Sequence, residues 1–84
     1  MKRKLIAMLP DGTTVTRRTE RPYTHVVAVH YPNGWRAKRW TTQPLQAQQD
    51  VAREVERHRA YYAGHPEAGA PWVPDKIQVV EVSK

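Results

Sequence analysis

The pattern x-Pro-(Asp/Asn)-Gly-x occurs twice in the first half of the chain, as Leu9-Pro10-Asp11-Gly12-Thr13 and as Tyr31-Pro32-Asn33-Gly34-Trp35. Proline presets φ for the first corner of a type I turn, Asp or Asn suits the second, and glycine supplies the left-handed residue that follows. The combination predicts a three-residue hairpin loop closed by a glycine bulge. The flanking segments 4–9, 13–18, 24–31 and 35–42 are rich in Val, Ile, Thr, Trp and Tyr, residues that fit a pleated surface. Two β-hairpins are expected, joined by the charged, proline-bearing link Arg17-Arg18-Thr19-Glu20-Arg21-Pro22.

The loop type also fixes register, because a slip of one residue exchanges the two faces of a strand. In the second hairpin Tyr31 should face Trp35, with 29 opposite 37, 28 opposite 38, 27 opposite 39 and 26 opposite 40. One face would then hold Val27, Val29, Tyr31, Trp35 and Ala37, and would be the core face. The other would hold Val26, Ala28, His30, Arg36, Lys38 and Trp40, a basic surface with an aromatic inside it. The same exercise on the first hairpin pairs Ala7 with Val15 and Met8 with Thr14. It places Leu5, Ala7, Leu9 and Val15 on one face and Lys4, Ile6, Met8, Thr14, Thr16 and Arg18 on the other. Both faces are partly apolar, and which one is covered stays open.

The second half predicts one helix and one strand. A helix should start at Thr42 or Gln43, with Pro44 in its first turn where a missing N–H costs nothing. Ala47, Val51, Val55, His58 and Tyr62 recur at helical spacing with Leu45 and Ala52 beside them, forming one apolar stripe. Gly64 and Pro66 should end the helix in the manner of a glycine C-cap. Residues 64–75 then read as a surface loop pinned by Trp72, and residues 77–82 as a closing strand. Pairing of that last strand with a second copy of the chain, giving a homodimer through a sheet edge, is an alternative. The expected architecture is a single small α+β domain over residues 1–84. Its order is β-β-β-β-α-β, with a mainly antiparallel sheet of five strands packed against one helix. The expected core contains Val27, Val29, Trp35, Val51, Val55 and Tyr62.

Composition limits what such a domain can do. Eighty-four residues, 39% of them apolar, leave room for one sheet and one helix but not for an enclosed, lidded reaction chamber. The chain has no cysteine, which excludes disulfides and thiolate zinc sites and fits a reducing cytoplasm. The longest apolar run near the N-terminus, residues 5–9, is far too short for a signal-peptide core or a membrane helix. No membrane partner is expected.

Charge is unevenly distributed. Residues 1–42 carry Lys2, Arg3, Lys4, Arg17, Arg18, Arg21, Arg36, Lys38 and Arg39 against Asp11 and Glu20 only, while the second half is nearly neutral. Such asymmetry points to an anionic partner. On the expected register Arg36, Lys38 and Trp40 project together from one strand, with His30 across from Arg36. Cations neutralise phosphates and an aromatic stacks on a base or packs on a sugar, so the face suits nucleic acid. Arg17 and Arg18 are expected to assist.

Catalytic constellations are not legible. The chain offers no nucleophile elbow, glycine-rich phosphate loop or H-E-x-x-H. His25 and His30, five apart on a strand, should lie on opposite faces and cannot share an ion. His58 lies one helical turn from Glu54, but no further ligands are implied. No metal, cofactor or enzymatic activity is expected.

The segment Arg21-Pro22-Tyr23-Thr24-His25-Val26-Val27-Ala28-Val29, with the short basic chain around it, resembles small uncharacterised proteins of actinobacterial, mycobacterial-type bacteriophages. The resemblance implies a protein acting in the cytoplasm of an infected bacterium and binding DNA or a host factor; it assigns no activity to any residue. In architecture, a Trp- and Arg-bearing antiparallel sheet backed by one helix is similar to the sheet-reading DNA-binding domains of phage integrases and plant transcription factors. The expected function is non-enzymatic nucleic-acid binding through the sheet face. The alternative is a protein-interaction module that modulates a host protein.

Overall fold

The two turn motifs do produce two hairpins, but each closes differently. In a computed structural model, which describes residues 2–65, 67 and 73–83, the first hairpin joins β1 (Arg3–Met8) to β2 (Thr14–Thr19). The Leu9 N–H donates to the Thr13 carbonyl at 2.7 Å, and the Gly12 N–H to the Leu9 carbonyl at 2.9 Å. Asp11 Oδ1 accepts the Thr13 N–H at 3.0 Å, and Gly12 sits at φ +89°. This is the expected three-residue loop with its left-handed glycine. Ala7 faces Val15 and Met8 faces Thr14.

The second hairpin joins β3 (His25–Tyr31) to β4 (Gly34–Thr41) and corrects the expected register near its tip. Tyr31 pairs with Gly34, His30 with Trp35, Val29 with Arg36 and Ala28 with Ala37. Beyond a bulge, Val27 pairs with Arg39 and Val26 with Trp40, as expected. The extra residue is therefore not accommodated at the turn. It is Lys38, between the pairs Ala28–Ala37 and Val27–Arg39. Gly34, at φ +128°, takes the strained position at the head of the returning strand.

The helix α1 (Pro44–Ala63) starts as expected with Pro44 in its first turn. The Gln43 N–H is received by Thr41 Oγ1 at 2.8 Å. The C-terminus departs from expectation: Gly64 stays right-handed at φ −85°, its N–H donating to the carbonyls of Ala60 and Tyr61. The helix therefore runs out in a tightened turn rather than in a left-handed glycine cap. Its stripe is narrower than predicted. Ala47, Val51 and Val55 are buried and Tyr62 half-buried, but His58 is exposed and Leu45 is 76% exposed.

The final strand β5 (Lys76–Ser83) enters the middle of the sheet, whose order is β2-β1-β5-β3-β4 with every pairing antiparallel. The closing strand thus pairs within the chain with β3 on one side and β1 on the other. Helix α1 packs on β3, β4 and β5. Val27 and Val29 meet Ala47, Val51 and Val55, with Tyr31, Ile77 and Val79 at the margin. The α+β architecture and the order β-β-β-β-α-β are as expected.

The face turned away from the helix is not the open surface that was expected. Val26 and Ala28 lie on it and are 0% exposed. The sheet is nearly barrel-shaped, and its concave side is covered at these two residues. Leu5, Ala7 and Leu9 are buried, which settles the covered side of the first hairpin. Trp35, expected under the helix, pairs with His30 and stands half-buried on this second face. Burying apolar surface on both sides of a small sheet is how this chain compensates for owning one helix. Trp72, expected to pin the loop, lies outside the described residues.

Candidate functional site

The Lys38 bulge dismantles the expected Arg36–Lys38–Trp40 stripe. Residues paired across an antiparallel ladder share a face. Arg36, opposite Val29, is exposed on the helix side of the sheet, whereas Trp40, opposite Val26, belongs to the concave side. Lys38 itself is engaged: its Nζ lies 3.6 Å from Glu54 Oε2. Arg39 reaches the same helix, with Nη2 at 3.2 Å from Glu54 Oε1 and Nη1 at 3.4 Å from Asp50 Oδ2. Gln46 and Arg53 add contacts to Asp50. A regular strand would send residues 38 and 39 to opposite sides. The bulge re-aims them so that both serve one carboxylate.

His30 is likewise committed. Its Nδ1 is 2.6 Å from Asp75 Oδ1, and its carbonyl accepts the Asp75 N–H at 2.8 Å. The hydrogen bond to His30 holds the Asp75 carboxyl below its ordinary range. The imidazole also lies 5.1 Å from the Trp35 ring. This end of the concave face carries a histidine–carboxylate pair and no cluster of cations.

The opposite end has a different character. The Arg17 guanidinium sits over the Tyr23 ring at 5.3 Å, and Tyr23 lies 6.4 Å from Trp40 at a 52° tilt. Arg21 Nη1 reaches the Tyr23 hydroxyl at 3.5 Å. Arg18 stands directly across the ladder from Lys4, and Arg17 across from Leu5. Like charges placed opposite each other destabilise a ladder, and among the described residues no ion pair joins either to a carboxylate. Sequence reading found Arg17, Arg18 and Trp40 but missed Tyr23, Arg21 and Lys4. Tyr23 was legible only as the aromatic beside Pro22 in an arginine-rich link. What joins it to Trp40 is the return of the chain into β3.

The described cations therefore divide into two classes, with Arg36, Arg57 and Lys76 sharing the unpaired class with those of the first hairpin. Lys38, Arg39, Arg53 and Arg59 are ion-paired to Asp50, Glu54 or Glu56. Among the described residues, no ion pair joins Lys2, Arg3, Lys4, Arg17, Arg18 or Arg21 to a carboxylate, and all six are exposed. Two arms of one hairpin and the link leaving it thus carry six cations against Asp11 and Glu20. Lys4 and Arg18 lie on one face of the ladder, Arg3 and Arg17 on the other, and two half-buried aromatic rings stand beside Arg17.

No three His, Asp or Glu side chains converge among the described residues in a way that would hold a metal ion. Two surface depressions among the described residues follow the helix, lined by Ala52, Arg53, Glu56 and Arg57 and by Gln43, Pro44, Leu45, Gln46 and Gln49. Neither pairs a nucleophile with a base. No helix among the described residues is long and apolar enough to cross a membrane. Compared with known proteins, the chain matches no family model, no curated protein and no solved structure.

Proposed function

We propose that this chain is a small non-enzymatic nucleic-acid-binding protein whose phosphate footprint is the β1–β2 hairpin and the link that follows it. One observation carries the reading. Among the described residues, the carboxylates of the helix pair with Lys38, Arg39, Arg53 and Arg59. Of the nine described cations without an ion pair, six, Lys2, Arg3, Lys4, Arg17, Arg18 and Arg21, fall on one hairpin and its link, the others being Arg36, Arg57 and Lys76. Holding like charges together costs stability, and an array of phosphates offsets that cost by releasing condensed counterions. Of the residues named from sequence, Arg17, Arg18 and Trp40 stay in the site. Arg36 leaves it by facing the other way, and Lys38 and His30 leave it through their carboxylate partners. The resemblance to phage proteins supports a host cytoplasm as the setting.

The test is a titration with labelled DNA, single-stranded and duplex, at two salt concentrations. Binding should weaken steeply with salt. Arg18→Ala or Lys4→Ala should each reduce the slope of log K against log salt by about one. Arg39→Ala should leave the slope unchanged, because its charge is already neutralised by the helix. Absence of binding at low salt overturns the reading. Capture of a host protein that persists at high salt would then favour a protein-interaction module.

A further inference from the structure

Resting on that reading, we infer that the strand bound is single, and that Trp40 and Tyr23 form a base-stacking platform beside the phosphate footprint.

The aromatic contacts of the chain are of different kinds. Tyr61 and His65 lie parallel at 4.3 Å with an interplanar angle of 13°, so each ring already has a stacked partner. Tyr23 and Trp40, at 6.4 Å and 52°, form an open corner instead. Arg17 covers one face of Tyr23, and both rings are half-buried rather than enclosed. The corner adjoins Arg17 and Arg21, so a base stacked there has cations within reach of its own phosphates. Trp35 offers no such place: its neighbour is His30, which is bonded to Asp75.

The same geometry disfavours a duplex. Bases inside a helix have both faces covered by neighbours, so only an unstacked base can meet a protein ring. Reading a groove requires a projecting basic element. The solvent side of α1 alternates Asp50, Arg53, Glu56 and Arg57. The tip of the first hairpin bears Asp11, and that of the second bears Pro32 and Asn33. The helix face is balanced in charge, and neither hairpin tip carries a cation.

Wild-type protein is titrated by fluorescence anisotropy with labelled oligothymidine, an abasic strand of equal length and a duplex of equal length. The abasic strand keeps the phosphates and lacks the bases. Oligothymidine should bind roughly tenfold more tightly than the abasic strand and more tightly than the duplex. Tryptophan emission should be quenched by oligothymidine and not by the abasic strand. Trp40→Ala should erase the difference between the two strands without changing the salt slope, and Trp40→Phe should retain part of it. Equal affinity for thymidine and abasic strands, or tighter binding of the duplex, overturns the platform while leaving phosphate binding in place. If none of the three binds at low salt, the platform falls together with the nucleic-acid reading. The comparison of strands on wild-type protein decides the matter even if Trp40→Ala does not fold.

Discussion

Arg39 donates from Nη2 to Glu54 Oε1 at 3.2 Å, linking the edge strand β4 to the helix one residue beyond the Lys38 bulge. The Arg39 and Glu54 side chains are 40% and 32% exposed, so solvent screens the pair and its value is that of a partly wet network. Glu54→Ala should cost about 0.5–1 kcal/mol in urea denaturation. A double-mutant cycle with Arg39→Ala should show that the two changes are not additive. Full additivity would mean that the bulge is held by backbone geometry alone.

The glycines should separate into two kinds. A Cβ at Gly12 or Gly34 would meet nothing within 4 Å, yet both have positive φ. Alanine there should destabilise by about 1 kcal/mol or more through backbone strain alone. Gly64 is right-handed, and its Cβ would make only ordinary contact with the Tyr61 and Ala60 carbonyls. Gly64→Ala should be neutral or slightly stabilising. Thermal melts of the three variants check the ordering.

Within the helix, burial rather than hydrophobicity should set the cost of truncation. Val51 is 0% exposed between Val27 and Val29, and Val51→Ala should cost roughly 2 kcal/mol. Leu45→Ala removes a larger side chain, but one already 76% exposed, and should change stability by no more than about 0.5 kcal/mol. Chemical denaturation of the pair is the measurement.

Acid should weaken the fold through Asp75. Its carboxyl titrates below the ordinary range because His30 hydrogen-bonds to it, so the unfolded chain takes up this proton at a higher pH than the folded one. The contribution is complete above the unfolded value, near pH 4, and is lost as pH falls through the lower folded value. Asp11, held down by the Thr13 N–H, acts in the same direction. Asp75→Asn should flatten the stability profile below about pH 4. An unchanged acid limb would show that the pair is not maintained in solution.

Much of this architecture is written in short-range chemistry. The two Pro-(Asp/Asn)-Gly motifs place both hairpins, Pro44 opens the helix, and the spacing of Ala47, Val51 and Val55 selects its buried face. Each depends on φ preferences or periodicity within a few residues, which a linear reading can evaluate. The pairs Val26–Trp40 and Val27–Arg39 match the register the loop motif implies only because the Lys38 bulge adds the residue that the turn does not.

The placement of the Lys38 bulge was decided by the whole fold. A strand reads the same with its extra residue at the turn or four residues along; what differs is whether residues 38 and 39 meet Glu54 and Asp50, and the helix supplies those. That shift moved Trp35 out of the helix core and parted Arg36 from Trp40. The coiling of the sheet, on whose concave side Val26 and Ala28 are buried, has no local signature either. Sequence determined which residues are cations and rings. Only tertiary pairing decided which cations are neutralised and which rings stand beside those that are not, because charge compensation acts between segments far apart along the chain.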